Sequence, residues 1–259
     1  MLKLDQKLRK LRLGYAASVL EAHHQAAINA KISYLEFLEK LIDDELNARD
    51  TKGLDKRVRA ARFPVTKTLE EFDFAFQPSI NVKQIKALAN CEFIAKHETA
   101  LFIGPPGVGK SHLATAIGVK ACLRGHHVIF ATIQVLASQL NAAMADLSVE
   151  KLVDQYVRAD LIILDELGFT PLNRIVADHL FRIISERYER GSIIVTSNKP
   201  FELWAEMFAD PILAGAVLDR LVHHAHVVPI SGDSFRTKDR RPPTEPPAGK
   251  ATRHAKSST

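Results

Sequence analysis

The sequence predicts an α/β protein built on a parallel sheet, and three observations carry that expectation. Five short apolar runs lie between residues 99 and 231, and amphipathic helical segments separate them. Each run is apolar throughout instead of alternating, as strands covered on both faces are. The first run leads directly into a glycine-rich loop and then a helix. Alternation of strand and helix favours parallel pairing through crossover connections.

The candidate strands are TALFIG (99–104), HVIFAT (127–132), DLIILDEL (160–167), SIIVTSN (192–198) and HVVPIS (226–231). Residues 1–63 read instead as a small helical domain. Leu13, Ala16, Ala17 and Leu20 recur at helical spacing, as do Leu35, Leu38, Leu41 and Ile42. Ser33 followed by Glu36 is a capping-box pattern, Pro64 ends the last helix, and Gly53 is a place where it can break. Residues 64–98 form a joint. Phe72, Phe74 and Phe76 alternate as in an extended segment, and a helix is expected from about Val82 to His97. The strand-and-helix domain then spans 99–235. Residues 236–259, rich in Pro, Lys and Arg, read as a disordered basic tail.

Composition narrows the class further. The chain has 259 residues, 46% of them hydrophobic and 25% charged, enough to bury a core without disulfide staples. Its two cysteines, Cys91 and Cys122, have no metal-ligand spacing and read as reduced packing residues. The start MLKLDQKLRK has no apolar core of a secretion signal, and no run approaches a membrane span, so a cytoplasmic protein is expected. The net charge of +5 comes from the tail. Seven Lys/Arg against two Asp/Glu lie from Arg236 onward, while residues 100–235 hold 11 basic and 14 acidic side chains. Affinity for nucleic acid is therefore not to be read from overall charge.

Gly104-Pro105-Pro106-Gly107-Val108-Gly109-Lys110-Ser111 matches G-x-x-x-x-G-K-[ST] in the strand–loop–helix context that the motif requires. Glycines let a backbone wrap phosphates closely, and a helix N-terminus attracts the anion. Lys110 is placed to reach the β- and γ-phosphates and Ser111 to ligate Mg²⁺; His112 follows in the same turn. The third strand ends in Asp165-Glu166. One carboxylate there suits the Mg²⁺ shell (Asp165) and its neighbour suits the general base that polarises water (Glu166). The fourth strand ends in Thr196-Ser197-Asn198, of which Asn198 is the candidate to orient that water. Both acidic and polar ends fall at the C-terminal side of their strands, where open α/β sheets bind ligands.

These segments together resemble a known family. GPPGVGKSHLA and the DE- and TSN-ended strands are similar to AAA+ ATPases of the DnaC/IstB type. RFPVTKTLEEFDF resembles the joint of IstB proteins, the ATP-binding helpers of insertion-sequence transposition. The resemblance spans about residues 1–236. It implies an AAA+ sheet with strand order 5-1-4-3-2, ATP and Mg²⁺ as cofactors, and self-assembly on double-stranded DNA. It also implies partnership with an IstA-type transposase. The related alternative is a DnaC-type loader of a replicative helicase. Arg220 in VLDRL matches the arginine that reaches a neighbouring subunit's nucleotide, with Arg187 and Arg190 as second candidates. The sequence departs from the wider AAA+ pattern after its last strand, where too little chain remains for a helical lid. A basic helical face of Arg49, Lys52, Lys56 and Arg59, with Arg57 and Arg62 beside it, is the candidate DNA contact. The histidine pairs 23–24, 126–127 and 223–224 have no Cys or Glu at ligand spacing, and adjacent side chains are expected to face apart.

Overall fold

A computed structural model describes residues 2–208 and 210–240. Residues 241–259, most of the expected tail, lie outside the described residues. The N-terminal helices are α1 (Leu2–Lys10), α2 (Gly14–Ala30) and α3 (Tyr34–Ala61). The joint carries α4 (Val82–Ala89) and the single turn α5 (Glu92–Ala95). Then follow β1 (Thr99–Ile103), α6 (Lys110–Leu123), β2 (Val128–Thr132), α7 (Ile133–Ala145), α8 (Val149–Arg158) and β3 (Leu161–Leu167). The chain continues through α9 (Arg174–Arg187), β4 (Ser192–Ser197), a 3-10 turn (Phe201–Glu206), α10 (Pro211–Val222) and β5 (Ala225–Pro229). A last 3-10 helix covers Phe235–Arg240.

All five strands pair in parallel, in the order β2-β3-β4-β1-β5. This is the order that the resemblance implies, read from the opposite edge. The central strands are buried on both faces. Leu101, Ile162, Leu164, Ile193 and Val195 pack on one side with α7, α9 and α10. Ala100, Phe102, Ile163 and Ile194 pack on the other with α4 and α6. That two-sided burial is why the strands are apolar at every position. Among the described residues no helix is long and apolar enough to cross a membrane.

Helix α3 departs from expectation in one respect. It runs unbroken through Gly53 for 28 residues, about 42 Å at 1.5 Å per residue. Its first half packs Leu41 against Ala16 and Leu20 of α2. Its second half sends Leu54, Val58 and Ala61 into the core around α6, and Phe63 meets Phe130 of β2 edge-to-face at 6.0 Å. Tertiary contact on both sides of Gly53 outweighs its weak helix propensity. Ser33 accepts from the Glu36 N–H, as the capping pattern predicts.

Two further expectations are corrected. The helix from Val82 to His97 is interrupted: α4 ends at Ala89, and Cys91 takes a left-handed conformation (φ 59°) before the α5 turn. The phenylalanines 72, 74 and 76 alternate but form no strand; they sit in successive turns, one fastened by Asp73 accepting from the Phe76 N–H. Phe72 packs on Phe74, and Phe76 packs edge-on against Phe235. Alternation arises here from a folded-over loop with one buried side. Cys91 and Cys122 are buried free thiols, and burial pushes Cys122 up to about 11.

Candidate nucleotide site

The Gly104–Ser111 loop joins the C-terminal end of β1 to α6. Gly104 allows the loop to pass beneath β5, because a Cβ there would lie 2.0 Å from the Ile230 carbonyl oxygen. Gly109 has φ +97° and is the residue from which α6 starts. The first amides of α6 have no acceptor within the helix, so they point partial positive charge into the loop. Lys110 is buried and donates from Nζ to the carbonyls of Gly104 (2.7 Å) and Pro105 (2.8 Å). Its burial lowers the ammonium pKa from the ordinary lysine value, an effect opposed by the charge of Asp165 and reinforced by that of Arg236.

A cavity of about 450 Å³ opens onto this loop. Val108, Gly109, Lys110, Ser111 and His112 line one wall. The joint lines another through Pro64, Lys67 and Phe72, and Phe235 and Arg236 close a third. His112 donates from Nε2 to the Thr68 carbonyl (2.8 Å) and stands edge-on to Phe72, so it ties the joint to α6 as well as facing the cavity. The Phe235 N–H donates to Gly107 O at 2.9 Å. The boundary expected at residue 235 is therefore crossed by the final 3-10 helix, which folds back onto the loop. Sequence reasoning treated Arg236 as the start of a tail; the signal that places it here is the pair Gly107 and Ser234, which touch with no room for a Cβ between them.

The acidic cluster sits beside the loop. Ser111 Oγ donates to Asp165 Oδ1 at 2.8 Å. Thr196 Oγ1 donates to the same oxygen and accepts from the Glu166 N–H at 3.0 Å. Thr196 is wholly buried, so one hydroxyl fixes the positions of both acidic residues. Its place within the TSN end of β4 was the only sequence signal for it. Glu166 is exposed with φ +62°, and the register between β3 and β4 slips between Leu164 and Leu167. The irregularity turns Glu166 out of the sheet while Asp165 stays buried. Asn198 Oδ1 is buried without a hydrogen-bond partner. The Ser111 hydroxyl and Asp165 carboxylate are hard oxygen donors side by side, a set that fits Mg²⁺.

The other expected residues lie elsewhere. Arg220 donates to Ala216 O and stands over the Phe181 ring at 5.0 Å. It lies at the end of α10 that precedes β5, and there the Thr99 N–H at the start of β1 donates to His224 O. The loop lies at the far end of β1, about 16 Å away for a five-residue strand. Arg187 is not free to reach another subunit: it is fully buried, and its guanidinium donates to the carbonyls of Tyr156, Val157, Ala159, Asp160 and Ser192. Burial pulls it down to about 10. Of the basic face, Lys52, Lys56, Arg59 and Arg62 are exposed. Arg49 pairs with Glu45, and Arg57 Nε donates to Cys122 O, fastening α3 to α6.

Known proteins match this description. The sequence profile of the family described as IstB-like ATP-binding proteins matches residues 6–242. The chain is 42% identical to the IS21 insertion-sequence ATP-binding protein of Pseudomonas aeruginosa over 93% of this chain and 91% of that one. It is 36% identical to the IS5376 ATP-binding protein of Geobacillus stearothermophilus, over 92% and 95%. Among solved structures, DnaI superposes with a TM-score of 0.56 at 20% identity, covering 68% of this chain and 93% of that chain. The replication initiator DnaA bound to AMPPCP and single-stranded DNA gives 0.54 at 22%, covering 64% and 50%. These structural likenesses establish the AAA+ fold. The phosphate loop, the paired acids and the match along nearly the whole chain place this protein in the IstB-like family of insertion-sequence ATP-binding proteins.

Proposed function

We propose that this protein is a Mg²⁺-dependent ATPase that assembles as an oligomer on double-stranded DNA and there regulates an IstA-type transposase. The observation that carries the catalytic part is the cluster Ser111–Asp165–Thr196–Glu166 beside the loop. Mg²⁺ bound by Ser111 and Asp165 would neutralise phosphate charge. Lys110 exchanges its two loop carbonyls for the β- and γ-phosphate oxygens of ATP. Glu166, exposed beside the buried Asp165, accepts a proton from the attacking water. Asn198 offers its unpartnered buried oxygen to the same water. The cavity walls of joint and C-terminal turn hold the rest of the nucleotide.

Arg220 acts on a neighbour. A strand's length separates it from its own loop, so it can serve only the nucleotide of an adjacent subunit. The exposed Lys52, Lys56, Arg59 and Arg62 contact DNA phosphates, and assembly repeats that weak contact along the duplex. The insertion-sequence names of the relatives support a transposase as partner in preference to a helicase.

The decisive experiment is Glu166→Gln, assayed for ATP turnover, ATP binding and sedimentation with duplex DNA. Turnover should fall at least about 100-fold while ATP binding persists and ATP-dependent assemblies on DNA last longer. Unchanged turnover would remove Glu166 as the base. A monomer in the presence of ATP and DNA would overturn the assembly.

A further inference from the structure

At the end of the sheet away from the phosphate loop, two turns bring metal-binding side chains together. Glu189 lies in the turn between α9 and β4, and His223 and His224 lie in the turn between α10 and β5. The histidines do not face apart, as adjacent residues were expected to. Their ring centroids are 4.0 Å apart at an interplanar angle of 53°. His224 Nε2 is 3.6 Å from Glu189 Oε1, and one ligand atom from each of the three residues lies within 4.8 Å of the other two. Among the described residues no other group of three such side chains converges in this way.

Two features make this more than a chance meeting of exposed groups. Both backbones are pinned: the His223 N–H donates to Asp219 O, the Thr99 N–H to His224 O, and the Arg190 and Gly191 N–H groups to Arg187 O. The buried Arg187 thus holds the Glu189 turn from beneath. The Tyr188 hydroxyl is 2.7 Å from His223 Nδ1. A partner on one ring nitrogen fixes the ring and leaves the other free to bind, the arrangement found around metal-ligating histidines. Two imidazoles and a carboxylate suit zinc-class ions. Donors about 3.4 Å apart are needed for tetrahedral bonds near 2.1 Å, which side-chain rotation of the order of 1 Å supplies.

We infer that Glu189, His223 and His224 form a surface site for a divalent zinc-class transition metal, with Tyr188 orienting His223 and a fourth position open. The site stands beside Arg220, which with Tyr188, Glu189 and His224 lines one small crevice. It is independent of the nucleotide site, which lies at the opposite end of β1.

The test is titration of the full nucleotide-free chain with Co²⁺, read by visible absorption, followed by Zn²⁺ displacement. The wild type should bind one equivalent with a band of imidazole-ligated cobalt, and Zn²⁺ should abolish the band. His223→Gln and His224→Gln should each weaken binding at least about 10-fold, and Tyr188→Phe about 10-fold through its effect on His223. Asp165→Asn should leave the band unchanged, which separates this site from the Mg²⁺ ligands. No band in the wild type, a band that survives in the double histidine variant, or one lost in Asp165→Asn would each overturn the proposal. All four residues carrying the site or its support are at the surface or beside it, so melting curves of the variants should overlay that of the wild type.

Discussion

At the scale of single residues, the site depends on one hydroxyl that its motif does not advertise. Thr196 bridges Asp165 and the Glu166 backbone from a fully buried position. Removing it leaves a buried carboxylate oxygen short of a donor and releases the backbone that aims Glu166. Thr196→Val should lower ATP turnover by about 10- to 100-fold with ATP affinity little changed, and Thr196→Ser should restore most of it. Steady-state kinetics that show KM rising instead of kcat falling would assign Thr196 to binding. The phosphate loop, Asp165 and Glu166 were legible because their chemistry demands fixed residue types at fixed spacing. Thr196 was not, because its role depends on the alignment of β3 with β4, a tertiary fact. Arg187 was misread for a similar reason. On paper it is a charge near a helix end; in the fold it gathers five carbonyls, three of them from the last turn and cap of α8.

At the scale of elements, the strands were legible to within a residue or two because two-sided burial writes itself as unbroken apolar runs. The joint was not. Its phenylalanines alternate because a loop folds one side against the core, and period alone does not distinguish that from a strand. The break after α4 is likewise set by Cys91 packing into the core in a left-handed conformation that its sequence does not announce. Helix α3 shows the reverse case. Its start was legible in Ser33 and Glu36, and its continuity past Gly53 was not, because contacts at both halves decide it. Ser33→Ala should cost about 0.5–2 kcal/mol of stability, seen as a lower thermal midpoint of the N-terminal helices with ATP turnover in the absence of DNA unaffected. A midpoint equal to that of the wild type would show that the cap adds nothing to the packing of α2 on α3.

At the scale of the whole molecule, the residues proposed for catalysis are split between the two ends of the sheet. Loop and acids gather at one end and Arg220 at the other. Under the proposed mechanism, a subunit built this way would complete a neighbour's site and not its own. Arg220→Ala and Glu166→Gln should each be inactive alone. Mixed in equal amounts they should recover roughly a quarter of wild-type turnover, the fraction of interfaces that by chance pair an intact Glu166 with an intact arginine. A mixture no more active than its components would place Arg220 outside the reaction. The cavity itself is also a whole-molecule construction, since joint, loop and C-terminal turn come from three distant stretches of chain.

The unbroken α3 carries a mechanical consequence. One end of this rod is embedded among α1 and α2, and the other is bolted to α6 by Arg57 and to β2 by Phe63. The bolt lands on the helix that begins at Lys110. Any tilt of α6 would therefore be carried along roughly 42 Å of stiff helix, and its far end would sweep through a larger arc than its root. The N-terminal helices stand at the tip of a long rod whose root is fixed at the C-terminal end of the helix that begins at the nucleotide loop.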